Sequence, residues 1–415
     1  MKKLFYVAII VLSLSTLNAQ QFNLQAELRP RFENKHGFQT LLNTGADGTN
    51  FISQRTRLNF MFKQNKINFK VALQNVRVWG DVSTLSSADN FNSLHEAWAS
   101  ILFNNHFQLQ LGRQEIVYDD SRIFGNVGWA QQARSHDAAI VKINFKSGNL
   151  LDLGFALSAD NQGGIKTLYS NISGYKNFQY AWYHAKMNNI AASFLVLNTG
   201  IEVPVNANQT IEYAQTFGGR IEYEFGKIAA DAASYFQTGT LQNKNVSAQY
   251  FSGNLAFKIS SLFTAAIGAE YLSGKDMNDL SPNIKSFNPL FGTNHKFNGW
   301  MDYFYVGNHI NSVGLLDLQA TITYKKNKVM AKMVPHVFSA PSNIYNGSVK
   351  LSKSLGTEID TMVSYAFSKD ILITGGYSMM FGSKSLEFLK GGDRTENNSW
   401  TWLMIAFKPT LFSSK

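Results

Sequence analysis

The chain of 415 residues contains no cysteine, only seven prolines and, beyond its N-terminus, no apolar run long enough to cross a membrane as a helix. The first absence excludes structural disulfides, thiolate metal sites and a lipid-modified cysteine at a cleavage site. The last, with a mean hydropathy of -0.15, excludes a helical membrane protein. Runs of basic residues are missing too, which argues against nucleic acid and against a polybasic membrane tail. Enzyme signals are equally poor. Neither G-x-S-x-G nor H-E-x-x-H occurs, and His95-Glu96 lacks a second histidine four residues on.

At the N-terminus, Met1-Lys2-Lys3, the short apolar run Leu4 to Leu17 and Asn18-Ala19-Gln20 read as a secretory signal peptide cleaved after Ala19. Residues 20–415 are then expected to form a single domain. Removing Lys2 and Lys3 from 38 basic residues leaves 36 against 28 acidic ones, a modest formal +8. Aromatic residues are plentiful at 13%, with 32 Phe and 17 Tyr, which is high for a soluble domain.

The mature chain opens on a clean alternation. Phe22, Leu24, Ala26, Leu28, Pro30 and Phe32 fall on one face, and Asn23, Gln25, Glu27, Arg29, Arg31 and Glu33 on the other. A helix would need a period near 3.6, and a strand buried on both faces would not carry six polar residues in register. The pattern recurs at 55–63, 67–78, 97–103, 107–111, 139–145, 151–157, 178–182, 217–225, 228–236, 251–259, 263–271, 316–324, 355–367, 371–381 and 400–407. It is weaker at 190–197 and 329–337, and a phase slip near Asn75 predicts a bulge that leaves Arg77 on the polar face. Alternating strands hide a membrane signal from averaged hydropathy. About eighteen are expected, an even number as a closed single-chain transmembrane antiparallel β-barrel requires.

The connections carry independent information. Short turns at Asn65, Asn104-Asn105, 147–149, Asn188-Asn189, Gly226-Lys227, Ser260-Ser261, Lys326-Asn327 and 368–370 alternate with long polar segments, among them 34–52, 80–91, 112–135, 160–177, 273–311 and 382–398. Short periplasmic turns and long extracellular loops are the outer-membrane arrangement, and a soluble β-sandwich has no reason to alternate so. The expected location is the outer membrane of a Gram-negative bacterium, with its lipid as a partner.

The most unusual stretch is Gly112 to Asp137, which would be the third outer loop if the first strand ascends from the periplasm. It holds Arg113, Arg122 and Arg134, Glu115, Asp119, Asp120 and Asp137, together with Tyr118 and Trp129. Such a loop either covers the mouth or folds into the lumen and narrows it. Arg113 would share a phase with Leu109 and Leu111, so the backbone is expected to leave the strand at Gly112. Asp119-Asp120 are expected to pair with Arg113, Arg122 or Arg134 rather than hold calcium.

Arg29 and Arg31 lie beside Arg55 and Arg57 on neighbouring strands, and four guanidiniums this close repel unless carboxylates or an anion sit among them. Two readings stand side by side: a structural ladder neutralised by Glu27, Glu33 and Glu96, and a basic pathway for anionic solutes extended by Arg77. The aromatic segment with Phe291, Phe297, Trp300, Tyr303 and Tyr305 reads as loop packing or an interface girdle before a saccharide contact.

The residues Gly112, Arg113, Gln114, Tyr118, Asp120, Arg122, Gly125, Trp129, Arg134 and Asp137, with Leu28-Arg29-Pro30-Arg31 and Gln54-Arg55-Thr56-Arg57, resemble the alginate-export family of outer-membrane barrels. The resemblance implies an eighteen-stranded monomeric barrel whose arginine-lined, anion-selective pore lets negatively charged polyuronate leave the cell, with or without a periplasmic export partner. The function expected from residues and resemblance together is a non-enzymatic channel for anionic solutes, small or polysaccharide, with no metal or cofactor. Arg29, Arg31, Arg55, Arg57, Arg77, Arg113, Arg122 and Arg134 would line its pathway. Glu115, Tyr118, Asp119, Asp120, Trp129 and Asp137 would shape its constriction. The alternatives are a general or uptake porin and, from another class, a barrel hydrolase.

Overall fold

The computed structural model describes residues 20–88, 91–159, 174–205, 208–304 and 312–414. The expected signal peptide lies outside them, as do Tyr305 and residues 160–173 of the expected fourth outer loop. Eighteen antiparallel strands form one closed sheet. In chain order they are β1 (Gln21–His36), β2 (Thr49–Gln64), β3 (Ile67–Val78), β4 (Asn92–Leu102), β5 (Phe107–Gln114), β6 (His136–Asn144), β7 (Leu150–Leu157), β8 (Asn177–Met187) and β9 (Ile190–Val205). They continue as β10 (Asn208–Phe225), β11 (Ile228–Leu241), β12 (Lys244–Lys258), β13 (Phe263–Leu272), β14 (Leu315–Lys326), β15 (Val329–Ser339), β16 (Ser354–Ser368), β17 (Ile371–Gly382) and β18 (Ser399–Phe407). After Lys408-Pro409 the last strand resumes as Thr410–Ser413 and pairs, like β18, with β1. Closure leaves no sheet edge unpaired, the condition for crossing a bilayer in strands.

Most strands send apolar side chains outward and polar ones inward, although β8 turns Phe178, Tyr180 and Trp182 into the interior. Phe69, Leu73, Leu111, Phe155, Phe194, Leu255 and Ile267 are all exposed on the outer surface, where lipid replaces water. Beside the short turns this surface turns aromatic: Phe103, Phe145, Tyr183, Phe225, Phe263 and Phe367 form the girdle expected at a membrane interface. Asn65, Asn188, Gly226 and Asn327 open two-residue turns with positive φ, the conformation such hairpins need and these residues tolerate.

Two expectations about connections change. The pairs β9–β10 and β11–β12 extend outward to Val205↔Asn208 and Leu241↔Lys244, so only two residues separate the strands at each of these outer connections and the alternation of short and long is not strict. Gln242 and Asn243, at φ 53° and 58°, close the second turn. There is also no slip at Asn75. β3 pairs with β2 without interruption, and the bulge lies opposite Ala72 and Leu73, where β4 carries the extra residue His95.

The lumen is largely filled. The outer loop 115–135 and residues 273–304 fold inward and meet at a bridge between Phe124 and Phe291. Gly125 N–H donates to the Phe291 carbonyl at 2.9 Å, and Thr293 N–H to that of Ser121 at 2.9 Å. Glycine is required on both sides of this contact. A Cβ on Gly125 would lie 2.2 Å from Thr293 Oγ1, and one on Gly292 would lie 2.2 Å from the Arg122 carbonyl. Around the bridge Tyr118, Phe124, Tyr175, Phe178, Tyr180, Trp182 and Phe291 pack as a buried aromatic core inside the barrel.

Candidate functional site

β1, β2 and β3 build a wall of cations. Register places Arg29 opposite Arg55, Glu27 opposite Arg57 and Arg57 opposite Gln74, so all project to the lumen side. Yet Arg29, Arg31, Arg55 and Arg57 are only 5–8% exposed, because the loop 115–135 lies on them. Arg29 donates to the carbonyls of Gly128 (2.7 Å), Trp129 (3.0 Å) and Ala130 (3.3 Å) and to Gln131 Oε1 (2.8 Å). Arg31 donates to the Trp129 carbonyl at 2.7 Å and to Glu33 at 2.9 Å, and its guanidinium stacks 4.0 Å above the Trp129 ring. Arg55 reaches the Gln131 carbonyl and, at 2.8 Å, Glu27. Arg57 donates to Gln74 Oε1, and Gln74 in turn donates to the Gln132 carbonyl. Five consecutive carbonyls, 128–132, are thus held by one wall. Oriented carbonyl dipoles, with Glu27 and Glu33, answer the mutual repulsion of the cations.

The same loop reaches the far side of the lumen. Tyr118 donates to Asp152 on β7 at 2.7 Å and stacks on Trp182 of β8 at 4.4 Å. Trp182 Nε1 donates to Asp119, and Arg220 of β10 donates to Asp120 at 2.7 Å. Neither aspartate pairs with Arg113 or Arg134, and Arg122 bonds Asp120 only through its backbone N–H. The Arg122 guanidinium is 2% exposed and donates to Glu270 of β13 at 2.9 Å and to Asn298 at 2.8 Å. Burial opposes its charge, but Glu270 outweighs that and holds its pKa above the ordinary value. Arg134 donates to the Gly292 carbonyl at 3.0 Å. At the loop's root, Glu115 accepts from His95 (2.7 Å) and from Asn126 (2.8 Å). Burial would raise its pKa, but these hydrogen bonds hold it below the usual carboxylate range.

A second, acidic wall stands further round the barrel; sequence alternation puts Glu270, Glu358 and Asp360 among acidic residues that temper the basic set, but does not show that they gather in one wall. Glu270, Asp317, His336, Glu358 and Asp360, inward on β13 to β16, are all nearly inaccessible. They hold the other inward loop through donors: Met301 N–H to Glu358 (2.8 Å), Trp300 N–H to Asp360 (3.1 Å) and Asn298 to Glu270 (2.6 Å). Of the aromatic segment, Tyr303 is buried here and Phe291 at the bridge between the loops, both as packing.

Three expected site residues lie elsewhere. Arg77 is opposite Gln54 and donates to Asn75 at 2.8 Å; its register is outward, yet at the rim it still borders the outer cavity. Arg113 continues β5 rather than leaving it; it pairs with Asp137 of β6 at 2.9 Å in an exposed ion pair, again outward. Arg77 and Arg113 were expected in the pathway and Asp137 in the constriction. Unbroken pairing gives all three the outward phase. His95, Glu96 and Glu115 bring donor atoms within 4.8 Å of one another, but Asn126, Trp98 and Lys70 already engage the carboxylates.

Cavities open above and below the arginine wall. The outer one, about 580 Å³, is lined by Arg31, Lys35, Phe38, Phe51, Phe91 and Trp129 among others, with residues 129–132 as its floor. The periplasmic one, about 550 Å³, is lined by Lys63, Lys70, Asn23, Met61 and Trp98. Lys35, Lys63 and Lys70 share the inward phase of the arginines and continue their row in both directions. The alternation in the sequence already placed Lys63 and Lys70 on the polar face, but nothing local distinguished them from solvated charges.

The fold is a closed eighteen-stranded antiparallel β-barrel of the kind seen in outer-membrane porin structures. Among solved structures, the chain is similar to OccK9 (OpdG) of Pseudomonas aeruginosa, with 12% identity and a TM-score of 0.63 over 94% of this chain and 98% of that one. A BenF-like porin from Pseudomonas fluorescens Pf-5 matches at 13% identity and a TM-score of 0.62, over 94% and 99%. OpdK of Pseudomonas aeruginosa, in a structure with vanillate, matches at 12% and 0.60, over 95% and 99%. No family model and no curated protein matches the chain, so the alginate-export resemblance rests on its motif residues alone.

Proposed function

We propose that the mature protein, freed of residues 1–19, is a monomeric outer-membrane channel for passive diffusion of small organic anions. The observation that carries this reading is the continuous inward row of cations on one wall. It runs from Lys35 and Arg31 at the outer cavity, through Arg29, Arg55 and Arg57, to Lys70 and Lys63 at the periplasmic one. A row of like charge on a low-dielectric wall draws and guides anions without binding them so tightly that they cannot leave. The porin-like neighbours, one of them holding the carboxylate vanillate, favour small solutes. Export of an alginate-like polysaccharide draws on the motif resemblance only, and two loops packed into the lumen weigh against a polymer. Diffusion of this kind needs no cofactor and no periplasmic partner.

The test is the reversal potential of the refolded mature protein in a planar bilayer under a potassium chloride gradient. An anion preference that falls several-fold in the Arg55→Gln/Arg57→Gln variant is expected. Equal permeability to both ions would overturn the reading and leave a general porin.

A further inference from the structure

The guanidinium groups that would guide an anion are occupied by the protein itself. Gly128 to Gln131 offer them four neutral carbonyls in a row, and Gln74 holds the next, that of Gln132. The fit is incomplete: Nε of Arg55 and Nε of Arg57 are buried and find no acceptor among the described residues. A carboxylate matches a guanidinium better than a carbonyl does, because it carries full charge and two oxygens in bidentate geometry. The outer cavity lies directly above, with Trp129, Ala130, Gln131 and Gln132 lining it. A solute entering from outside therefore arrives at the clamp.

The held segment is also bracketed by strain. Val127, at φ 51°, precedes it and Ala133, at φ 57°, follows it, both in the left-handed region that non-glycine residues avoid and β-branched residues most of all. Such conformations persist only where surrounding contacts impose them, and they mark elements with a second arrangement available. Here the imposing contacts are the hydrogen bonds to the arginine wall.

We infer that residues 128–132 are a displaceable occupant of the anion site. A carboxylate takes their place on Arg29, Arg31 and Arg55, the strained ends relax, and the lumen widens for the solute that released it. This rests on the anion reading above but adds to it that the resting channel is narrowed by its own backbone and opened by its substrate class. A ligand shifts such an equilibrium only through its preference for the released state, and the unfilled Nε positions supply that preference.

The chain's lack of cysteine makes a direct test available. Gln131 Nε2 donates to Ser53 Oγ at 3.0 Å, so cysteines introduced as Ser53→Cys and Gln131→Cys can be joined by a short, reducible bifunctional thiol reagent. Single-channel conductance, corrected for bulk conductivity, is followed as potassium acetate replaces chloride at constant ionic strength. In the wild type it rises several-fold and saturates; because the variant also loses the Arg29–Gln131 side-chain contact, its linked form is compared with its own reduced form. In the linked variant it stays low until the linker is reduced. A linked channel that follows the unlinked one at every acetate fraction overturns the inference.

A second variant needs no cross-link. Ala133→Gly removes strain from the held state, so several-fold more acetate is needed for half-maximal opening; an unchanged or lower requirement counts against displacement. The chloride-gradient reversal potential on the same channels separates the two readings. Anion preference without an acetate response overturns displacement alone. Loss of both overturns the anion reading with it.

Discussion

The two walls that grip the inward loops solve opposite problems. The arginine wall of β1 to β3 holds carbonyls, and each of its four cations meets acceptors on the loop, on Glu27 or Glu33, or on Gln74. The carboxylate wall of β13 to β16 holds amide donors at Asn298, Trp300 and Met301, and is stitched to the first loop by the single cation Arg122. One wall spreads its grip over many replaceable contacts near a cavity. The other concentrates it in a dry core. A buried charge is costly to leave unpaired, so the dry wall is the anchor, and the wall next to the cavity is the one that can exchange partners.

Breaking the anchor gives the largest effect. Arg122→Met strips Glu270 of its cation in a dry site, a loss of about 3–5 kcal/mol, read as a lowered unfolding temperature of the refolded barrel in detergent. A destabilisation no larger than that of an exposed pair would show that the two walls do not differ in this way. The contact at Glu115 is more modest. Its pKa is held below the usual carboxylate range, so its share of stability is complete above the unfolded-state value of about 4.3 and is lost as pH falls through the lower folded value. Acidification below about pH 4 should therefore loosen the loop's root, seen as added conductance, and Glu115→Gln should abolish that step. Smallest is Arg113→Gln. Its pair with Asp137 is exposed, worth about 0–1 kcal/mol, and outward, so neither stability nor ion selectivity should move measurably. A clear drop in anion preference would return Arg113 to the pathway.

Much of the barrel was legible because the period of a strand is two and a bilayer enforces it. The inward phase of Arg29, Arg31, Arg55 and Arg57 follows from the apolar residues between them, and the asparagine turns from the conformations that residue tolerates. Reading failed where phase depends on pairing. Arg77 was assigned inward through a slip that does not exist, because the real bulge, at His95, belongs to the neighbouring strand. Arg113 was taken out of its strand because a charge beside Leu111 looked misplaced, although its partner Asp137 was 24 residues on. The partners of the crossing loop were further still: Arg220 lies 100 residues from Asp120, and Glu270 lies 148 from Arg122.

The order of residues by itself determined a closed barrel of alternating strands, the side of the wall on which most charges lie, and a polar loop too dense in charge to be passive. Only the tertiary structure decided that this loop lies inside, that carbonyls rather than carboxylates occupy most of the arginine wall, and that a second, acidic wall holds the opposite loop. Alternation is a local property, written two residues at a time. The partner of a buried charge is set by which strands closure brings face to face across the lumen, and no local pattern records it.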